Sequence, residues 1–513
     1  MSFHVVMDPG AKDCIETERT TLLSIKASIW NNNNNNQNFL SSWISHDCCY
    51  WKRVSCNHET SHITKLHLDL SMNNFIDSPI PEFIGSFANL EYLNLSHVGF
   101  SGIILYTLGN LSCLASLQAG GNHDTTLFHH LNFTSLHVLD LSQNYDLNIT
   151  HHLWLLHLTS LVHLDLFDCV LYGKLPVTIG NLSNLRVLSL SDSFDGEIPK
   201  SLGNLVQGWM PTSIGDLRNL QYLDLSTNML SGTISESFGN LTLLQQFYVF
   251  GGSHLSEKLL ETIGNLVHLQ FLYLFENAIS GKLPKSLGNL SQLQQLRILT
   301  MLDLSNNNIN GTMPKGMGNL CKLDTFDLTS NSISGGIDDL VNGLPKCMEN
   351  KNGSDLGISN GLNTLSLGNN KLKGTVPESI GQLSHLIKLN LSSNSLSGTL
   401  TESHFLNLVS LESLDFSYNS LHLNVSENWM PHFDCQFIRM CSCNVGPVFL
   451  TWVETQTQMK DHCLSDAGIS GNIPAWFWNP GSSSYYSLNL SNNNLGGSCV
   501  TLAKLACLLQ SPK

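Results

Sequence analysis

At 513 residues and 56.6 kDa the chain is several times longer than one hydrophobic core supports. It holds 89 Leu and 52 Asn against only 13% charged residues, an excess that ordinary globular averages do not produce. A formal charge of −15 leaves no basic surplus to release counterions, which excludes nucleic acid as an expected partner. No run of about 18 apolar residues marks a membrane span; the best candidate, Cys499 to Leu509, has 11 residues and contains Lys504. The opening MSFHVVMDPGAKD holds no apolar run of the length a secretory leader needs.

Residues 1–62 do not repeat. Leu22, Ile25 and Ile29 share one face of a predicted helix, the loop NNNNNNQN (Asn31 to Asn38) interrupts, and SSWISHDCCYWKRVSC follows. Cys14, Cys48, Cys49 and Cys56 can staple this segment in any of three connectivities, although adjacent Cys48 and Cys49 are not expected to join each other.

From residue 63 to 498 the template L-x-x-L-x-L-x-x-N recurs, clearest as LQYLDLSTN (Leu220 to Asn228), LQFLYLFEN (Leu269 to Asn277), LNTLSLGNN (Leu362 to Asn370) and LIKLNLSSN (Leu386 to Asn394). Its fourth position falls on Leu68, Leu93, Leu117, Leu139, Leu164, Leu188, Leu223, Phe247, Leu272, Leu302, Phe326, Leu365, Leu389, Leu414, Ile438, His462 and Leu488, which makes 17 repeats. Most steps are 22 to 26 residues; those ending at Leu223, Leu302 and Leu365 are 35, 30 and 39. The 35-residue step reads as two repeat endings with most of a strand lost between them.

Each template encodes one short strand, with Leu223 and Leu225 inward and Tyr222, Asp224 and Ser226 outward. One such strand cannot bury its apolar face alone, so the strands stack into an α/β repeat solenoid. The predicted fold is a leucine-rich-repeat horseshoe, with a parallel β-sheet on the concave face and short helices on the convex face. The closing Asn turns the chain inward and satisfies backbone groups in the buried bend. After it, G-x-[ILMV]-P recurs at Gly173, Gly196, Gly281, Gly311, Gly374 and Gly471. There Gly permits a tight bend and Pro fixes an extended segment before a helix marked by SLGNL or SIGNL. A solenoid end exposes its core, so 1–62 is read as a cap, 63–498 as repeats and 499–513 as a non-repeat tail.

No catalytic signature is present: no kinase motif set, G-x-S-x-G, H-E-x-x-H or P-loop, so neither an enzyme nor a cofactor is expected. Asp224, Asp303 and Asp327 recur at one outward position and read as a solvated ladder rather than a glycosidase pair. Cys441 and Cys443 form C-x-C, but Cys443 occupies the template's Asn position and is read as a buried free thiol. No metal site is expected, and His129, His130, His151 and His152 are read as surface residues. The ten cysteines outside the cap, Cys113, Cys169 and Cys321 among them, are expected to be mostly free.

Twelve N-x-[ST] sequons are candidate glycosylation sites. Asn110, Asn181, Asn240 and Asn289 lie in GNL[ST] on the outer flank, Asn94, Asn390 and Asn489 lie in LNLS on the strand itself, and Asn132, Asn148, Asn310, Asn352 and Asn424 make up the rest. Three consecutive repeats place aromatics outward: Tyr222, then Tyr248 and Phe250, then Phe271, Tyr273 and Phe275. These six are the candidate ligand surface. A one-residue register shift would instead send Tyr248 and Phe250 into the core. Protonating all 21 His would carry the formal charge from −15 to +6, so partner affinity is expected to depend on pH unless these residues are simply solvated.

CIETERTTLL, SSW and CCYWKRVSC resemble the N-terminal domain of plant leucine-rich-repeat receptor-like proteins, and the G-x-[ILMV]-P repeat resembles the plant extracellular version. LTESHFLNLVSLESL, Trp429 to Phe433, CSCNVGP and IPAWFWN resemble the branch that includes receptors for fungal xylanase. The resemblance covers residues 14 to about 498. It implies a twisted horseshoe, the pairs Cys14–Cys48 and Cys49–Cys56, and a Gly where this chain has Arg53, a departure that loosens the cap turn. It implies a cell-surface, plasma-membrane location, a protein or peptide ligand and a co-receptor kinase. Family ectodomains continue with more repeats, a second Cys-bearing cap, an acidic spacer and one transmembrane helix, so the chain is read as an incomplete extracellular half. The expected function is recognition of a protein or peptide in defence-type signalling. A soluble inhibitor resembling polygalacturonase-inhibiting proteins, which have about ten repeats, and a nonfunctional truncated fragment are the alternatives.

Overall fold

A computed structural model describes residues 14–30, 42–67, 80, 82–97, 102–104, 106–122, 125–127, 133–144, 158–169, 177–193, 212–228, 230–289, 299–345, 361–478 and 487–496. Leu68, the two His pairs, and the sequons Asn132, Asn148 and Asn352 lie outside the described residues. The chain forms two compact units, residues 1–244 with 248–253, and residues 245–247 with 254–513.

The first unit opens with the helix Glu16–Trp30, which buries Leu22. Disulfides join Cys14 to Cys48 and Cys49 to Cys56, with Cα separations of 5.4 and 5.5 Å. Trp43 stacks on Trp51 at 5.2 Å, and the buried Glu18 carboxylate accepts from the Ile63 N–H at 2.8 Å, tying the helix to the first strand of the sheet. Arg53 adopts φ 72°, a left-handed conformation that explains why Gly suits the position and costs a residue with a Cβ about 1 kcal/mol. Val54–Cys56 then pairs antiparallel with Ile63–His67, whose other edge begins the parallel ladder.

In that ladder Leu66, not Leu68, pairs with Leu93. ITKLHLDL carries Leu at 66, 68 and 70, a period-two run that fits the template in more than one register. Every later mark in the unit is in register: Leu93 with Leu117, Leu117 with Leu139, Leu139 with Leu164, Leu164 with Leu188 and Leu188 with Leu223. The 35-residue step therefore joins directly paired strands.

The second unit repeats the arrangement. Leu272, Leu302, Phe326, Leu365, Leu389, Leu414, Ile438, His462 and Leu488 pair in succession, so the 30- and 39-residue steps also leave the ladder unbroken. A second parallel sheet runs beside it through Ser280–Lys282, Asn308–Thr312, Ser332–Gly335, Lys371–Gly374, Ser395–Leu400 and Ser420–Leu423. Three glycines of the G-x-[ILMV]-P motif, Gly281, Gly311 and Gly374, lie in this sheet at positive φ of 76°, 81° and 95°; Gly173 and Gly196 lie outside the described residues. The expected outer helices are mostly single 3₁₀ turns such as Glu378–Gln382; Lys285–Asn289 is α-helical. Their Gly is required by close approach, since a Cβ on Gly381 would sit 2.2 Å from the Ser403 carbonyl of the next repeat.

The closing Asn binds neighbouring repeats together. Asn307 donates to the carbonyls of Leu274, Leu304 and Ser305 at 2.9 to 3.1 Å, and its oxygen accepts from the Ile279 N–H at 3.0 Å. Asn144, Asn228, Asn331, Asn370, Asn394, Asn419 and Asn493 likewise reach a carbonyl of the preceding repeat. Asn122 does the same. The residue before each Asn is left-handed, for example Gln143, Thr227, Asn306, Ser393 and Tyr418 at φ 51° to 57°. The Asn bonds offset that strain.

Where the Asn is replaced, the substitute does part of its work. Cys169 donates to Leu141 O at 2.9 Å and Cys443 to Phe416 O at 3.1 Å, and burial pushes the thiol of Cys443 up to about 11 and that of Cys169 to about 12. Ala467 has no side chain to offer, and the Val445 N–H turns to the Ala467 backbone carbonyl instead. A disulfide, Cys441–Cys463, spans these two weakened repeats. Among the described cysteines outside the cap, Cys113, Cys169, Cys435 and Cys443 are free, Cys443 being the buried thiol expected, whereas Cys321, Cys441 and Cys463 are bonded. Sequence spacing did not show that the outward position of one strand faces the rim of the next.

The same repeats hold His462 at a Leu position, fully buried, with neither ring nitrogen hydrogen-bonded. Burial pulls its pKa down to about 4, against a weaker opposing pull from Asp461. Its stabilising neutral form is intact above pH 6.5, and stability falls as pH drops from there to about 4, by roughly 3 kcal/mol in all. His462→Leu is expected to raise the melting temperature and to remove that loss, as thermal melts between pH 7 and 4 will show.

Asn419→Ala strips three donated bonds and one accepted from the Leu396 N–H, leaving buried carbonyls unpaired. A loss of about 2 to 4 kcal/mol is expected in denaturant titration, against less than about 1 kcal/mol for Ser420→Ala beside it.

Candidate functional site

The outward strand positions are the third and fifth of the template, flanking the buried fourth. Phe247 and Val249 are fully buried, so the register is unshifted and Tyr248 and Phe250 are half-buried on the outward side. In the first unit the rings of Tyr222 and Tyr248 lie 5.7 Å apart at 43°. The Tyr222 hydroxyl donates to Asp224 at 3.3 Å, and burial, reinforced by the Asp224 charge, pushes its pKa well above the usual phenol range. In the second unit Phe271 and Tyr273 on one strand, and Phe275 just after it, alternate with buried Leu272 and Leu274. The Tyr273 hydroxyl donates to the Met301 sulfur at 2.9 Å, and burial with the nearby Asp303 raises its pKa. Each unit thus holds three residues of the aromatic set, Tyr222, Tyr248 and Phe250 in the first and Phe271, Tyr273 and Phe275 in the second.

The carboxylates at the fifth position are not the solvated ladder expected. Asp140, Asp165, Asp224, Asp303, Asp327 and Asp415 each accept the N–H two residues on, at 2.8 to 3.0 Å, closing the turn that leads to the Asn. Burial raises the pKa of Asp165, Asp303 and Asp415 despite these bonds. Their recurrence is a folding requirement. The histidines are likewise mixed: besides His462, His404 is buried, with Nε2 2.9 Å from the Val376 carbonyl oxygen.

Sequence reasoning missed a second outward cluster in the second unit. Arg439 bonds Asp461 through Nε at 3.0 Å and through Nη2, with Asp415 4.0 Å away on the other side. Phe437 on the same strand is 37% exposed and Tyr418 at the rim 57%. The register alone could have found it, because Asp415, Arg439 and Cys463 occupy the same position on adjacent strands. At the rim beside it, where Ala467 breaks the Asn ladder, a polar cleft of about 620 Å³ is lined by His422, Ser442, Asn444 and Asp466.

Among the described residues the one group of three metal-type ligands is Cys14, Cys48 and Cys49, whose sulfurs are committed to disulfides. No helix among the described residues is long and apolar enough to cross a membrane. The geometry offers contact area and fixed charge pairs on a solenoid, the arrangement of a leucine-rich-repeat recognition surface.

Comparison with known proteins agrees. Family models described as Leucine rich repeat N-terminal domain, Leucine-rich repeat region and Leucine rich repeat match residues 15–57, 207–341 and 360–430. Receptor-like proteins EIX1 and EIX2 of Solanum lycopersicum are each 33% identical, over 94% of this chain and 53% of their own length. The chain therefore spans about half the length of these curated relatives. The ectodomain of the Arabidopsis receptor kinase HAESA, solved with the peptide hormone IDA and the co-receptor SERK1, aligns with TM-score 0.66 and 22% identity, covering 94% of this chain and 82% of that one. A TDR receptor structure aligns with TM-score 0.65 and 26% identity over 84% of this chain and 77% of that one. The chain belongs to the plant leucine-rich-repeat receptor-like proteins, in the branch of the tomato EIX receptors. The tomato relatives are receptor-like proteins.

Because Phe271 and Tyr273 are only half-buried, replacing both with Ala is expected to lower the melting temperature by no more than about 4 °C, whereas Leu272→Ala should cost about 3 kcal/mol or more. Calorimetry of the two variants distinguishes an outward surface from a core.

Proposed function

We propose that the chain is the extracellular recognition part of a plant cell-surface receptor-like protein. It binds a protein or peptide ligand, in defence-type signalling, through the outward residues of its parallel strands. The observation that carries this reading is the placement of Tyr222, Tyr248, Phe250, Phe271, Tyr273 and Phe275 at outward positions, the fifth of which is mainly Asp, Asn or Ser elsewhere. Half-exposed aromatics supply large contact area at low conformational cost. Support comes also from the solved HAESA complex, in which a receptor of this fold is bound to a peptide hormone and a co-receptor. By the same reading the whole protein resides at the plasma membrane and signals with a co-receptor kinase.

The test titrates fungal xylanase, the ligand class suggested by the EIX branch, onto disulfide-intact chain secreted from plant cells. Saturable binding is expected, weakened about 30-fold in a Tyr248→Ala, Phe271→Ala, Tyr273→Ala variant of unchanged fold, which corresponds to roughly 2 kcal/mol. Saturable binding that the triple variant leaves intact would move the site off these strands. Absence of binding would remove xylanase as the ligand.

A further inference from the structure

The sequons inside LNLS differ in what their amide nitrogens face. At Asn390 the side-chain oxygen accepts from the Ser392 N–H at 3.0 Å and from the Ser392 hydroxyl at 2.7 Å. At Asn489 it accepts the same pair from Ser491, at 3.1 and 2.8 Å. Neither Nδ2 has a protein hydrogen-bond partner among the described residues. At Asn94, by contrast, Nδ2 donates to Gln118 at 2.7 Å and Tyr92 at 3.3 Å, and a glycan there would displace Gln118. At Asn390, half-exposed, the amide rests on the side-chain-free Gly368, and the residues level with it on the adjacent strands are the short Ser366 and Asp415. Asn489 is exposed, level with Cys463 of the adjacent strand.

We propose that Asn390 and Asn489 carry N-linked glycans that stand on the strand face of the second unit and frame the strands between them. In the transfer, Nδ2 bonds to C1 of a lipid-pyrophosphate-linked oligosaccharide as the C1–O bond breaks. The lipid pyrophosphate leaves with the bonding electrons, and the amide loses one of its two protons. The sequon hydroxyl bond to Oδ1 is retained. Three strands lie between the two sites, Ser413–Asp415, Phe437–Arg439 and Asp461–Cys463, and they hold the Arg439 clamp and the exposed Phe437. At about 4.8 Å per strand the glycans stand roughly 19 Å apart. A partner reaching that face is thereby confined to a narrow, extended contact, as a peptide strand makes, while a broad globular surface is held off.

This inference rests on the extracellular reading, and the outer-flank sequons provide its internal control. Chain expressed in plant cells behind a secretion leader is deglycosylated with peptide N-glycosidase A in heavy-oxygen water and mapped by mass spectrometry. Heavy-oxygen Asp at positions 390 and 489 is the expected result. Label at Asn240 with none at Asn390 and Asn489 would overturn the inference while leaving the extracellular reading intact; no label anywhere would overturn both. Shielding is read from Lys388, on the same strand face as Asn390. Its labelling by an N-hydroxysuccinimide biotin ester should rise about threefold or more in Asn390→Gln, since a glycan is bulky and local. Unchanged labelling would show that the glycan does not cover the face.

Discussion

The structure depends on the amide of one residue per repeat. A short parallel strand must turn back across the solenoid interior, and the turn leaves carbonyls and N–H groups buried without strand partners. The closing Asn supplies donors to two repeats and an acceptor to one, as at Asn307, where the partners are Leu274, Leu304 and Ile279. An unpaired buried amide group costs about 1 to 3 kcal/mol, so each ladder residue outweighs the strain of the left-handed residue before it. Because this hydrogen bonding runs between neighbours, steps of 22 or 39 residues are equally tolerated provided that the strand and its Asn are kept.

Much of this was legible in the sequence. The Leu period and the Asn spacing placed the strands because burial and the buried turn both demand particular residue types. The first repeat was misplaced by two because Leu66, Leu68 and Leu70 all satisfy the inward period, and only pairing to Leu93 chooses among them. Left-handed backbone at the eighth position left little signal: Gln143, Glu276 and Tyr418 share no chemistry and are followed by the Asn that offsets the strain, and Gly occupies the position only in some repeats, as at Gly121 and Gly251. The Asp ladder was seen as outward, but its second task was not: each half-exposed carboxylate also caps a turn. Cys441 and Cys463 escaped notice because their proximity arises from adjacent strands, 22 residues apart in sequence.

Candidate site residues were legible only as departures from the repeat. Once Leu, Asn and Asp are assigned to architecture, what remains at the third and fifth positions is free of folding constraint; Tyr248 and Phe271 stand out there in the sequence, whereas Phe437 and Arg439 were recognised only once adjacent strands were paired. The arrangement separates the ladder from outward side chains whose replacement leaves it untouched. It also explains why the weakest repeats, those of Cys443, His462 and Ala467, carry a disulfide across them.

Native-state hydrogen exchange on the disulfide-intact chain tests the central claim most directly, because it reads the ladder amide by amide. The account predicts that the N–H groups accepted by Asn side chains, those of Ile279, Ile309, Ile333, Leu372 and Leu396, exchange as slowly as the strand amides of Leu302 and Leu389. Exchange at those five positions as fast as in the outer turns, with the strands still protected, would show that the Asn ladder does not hold the repeats together.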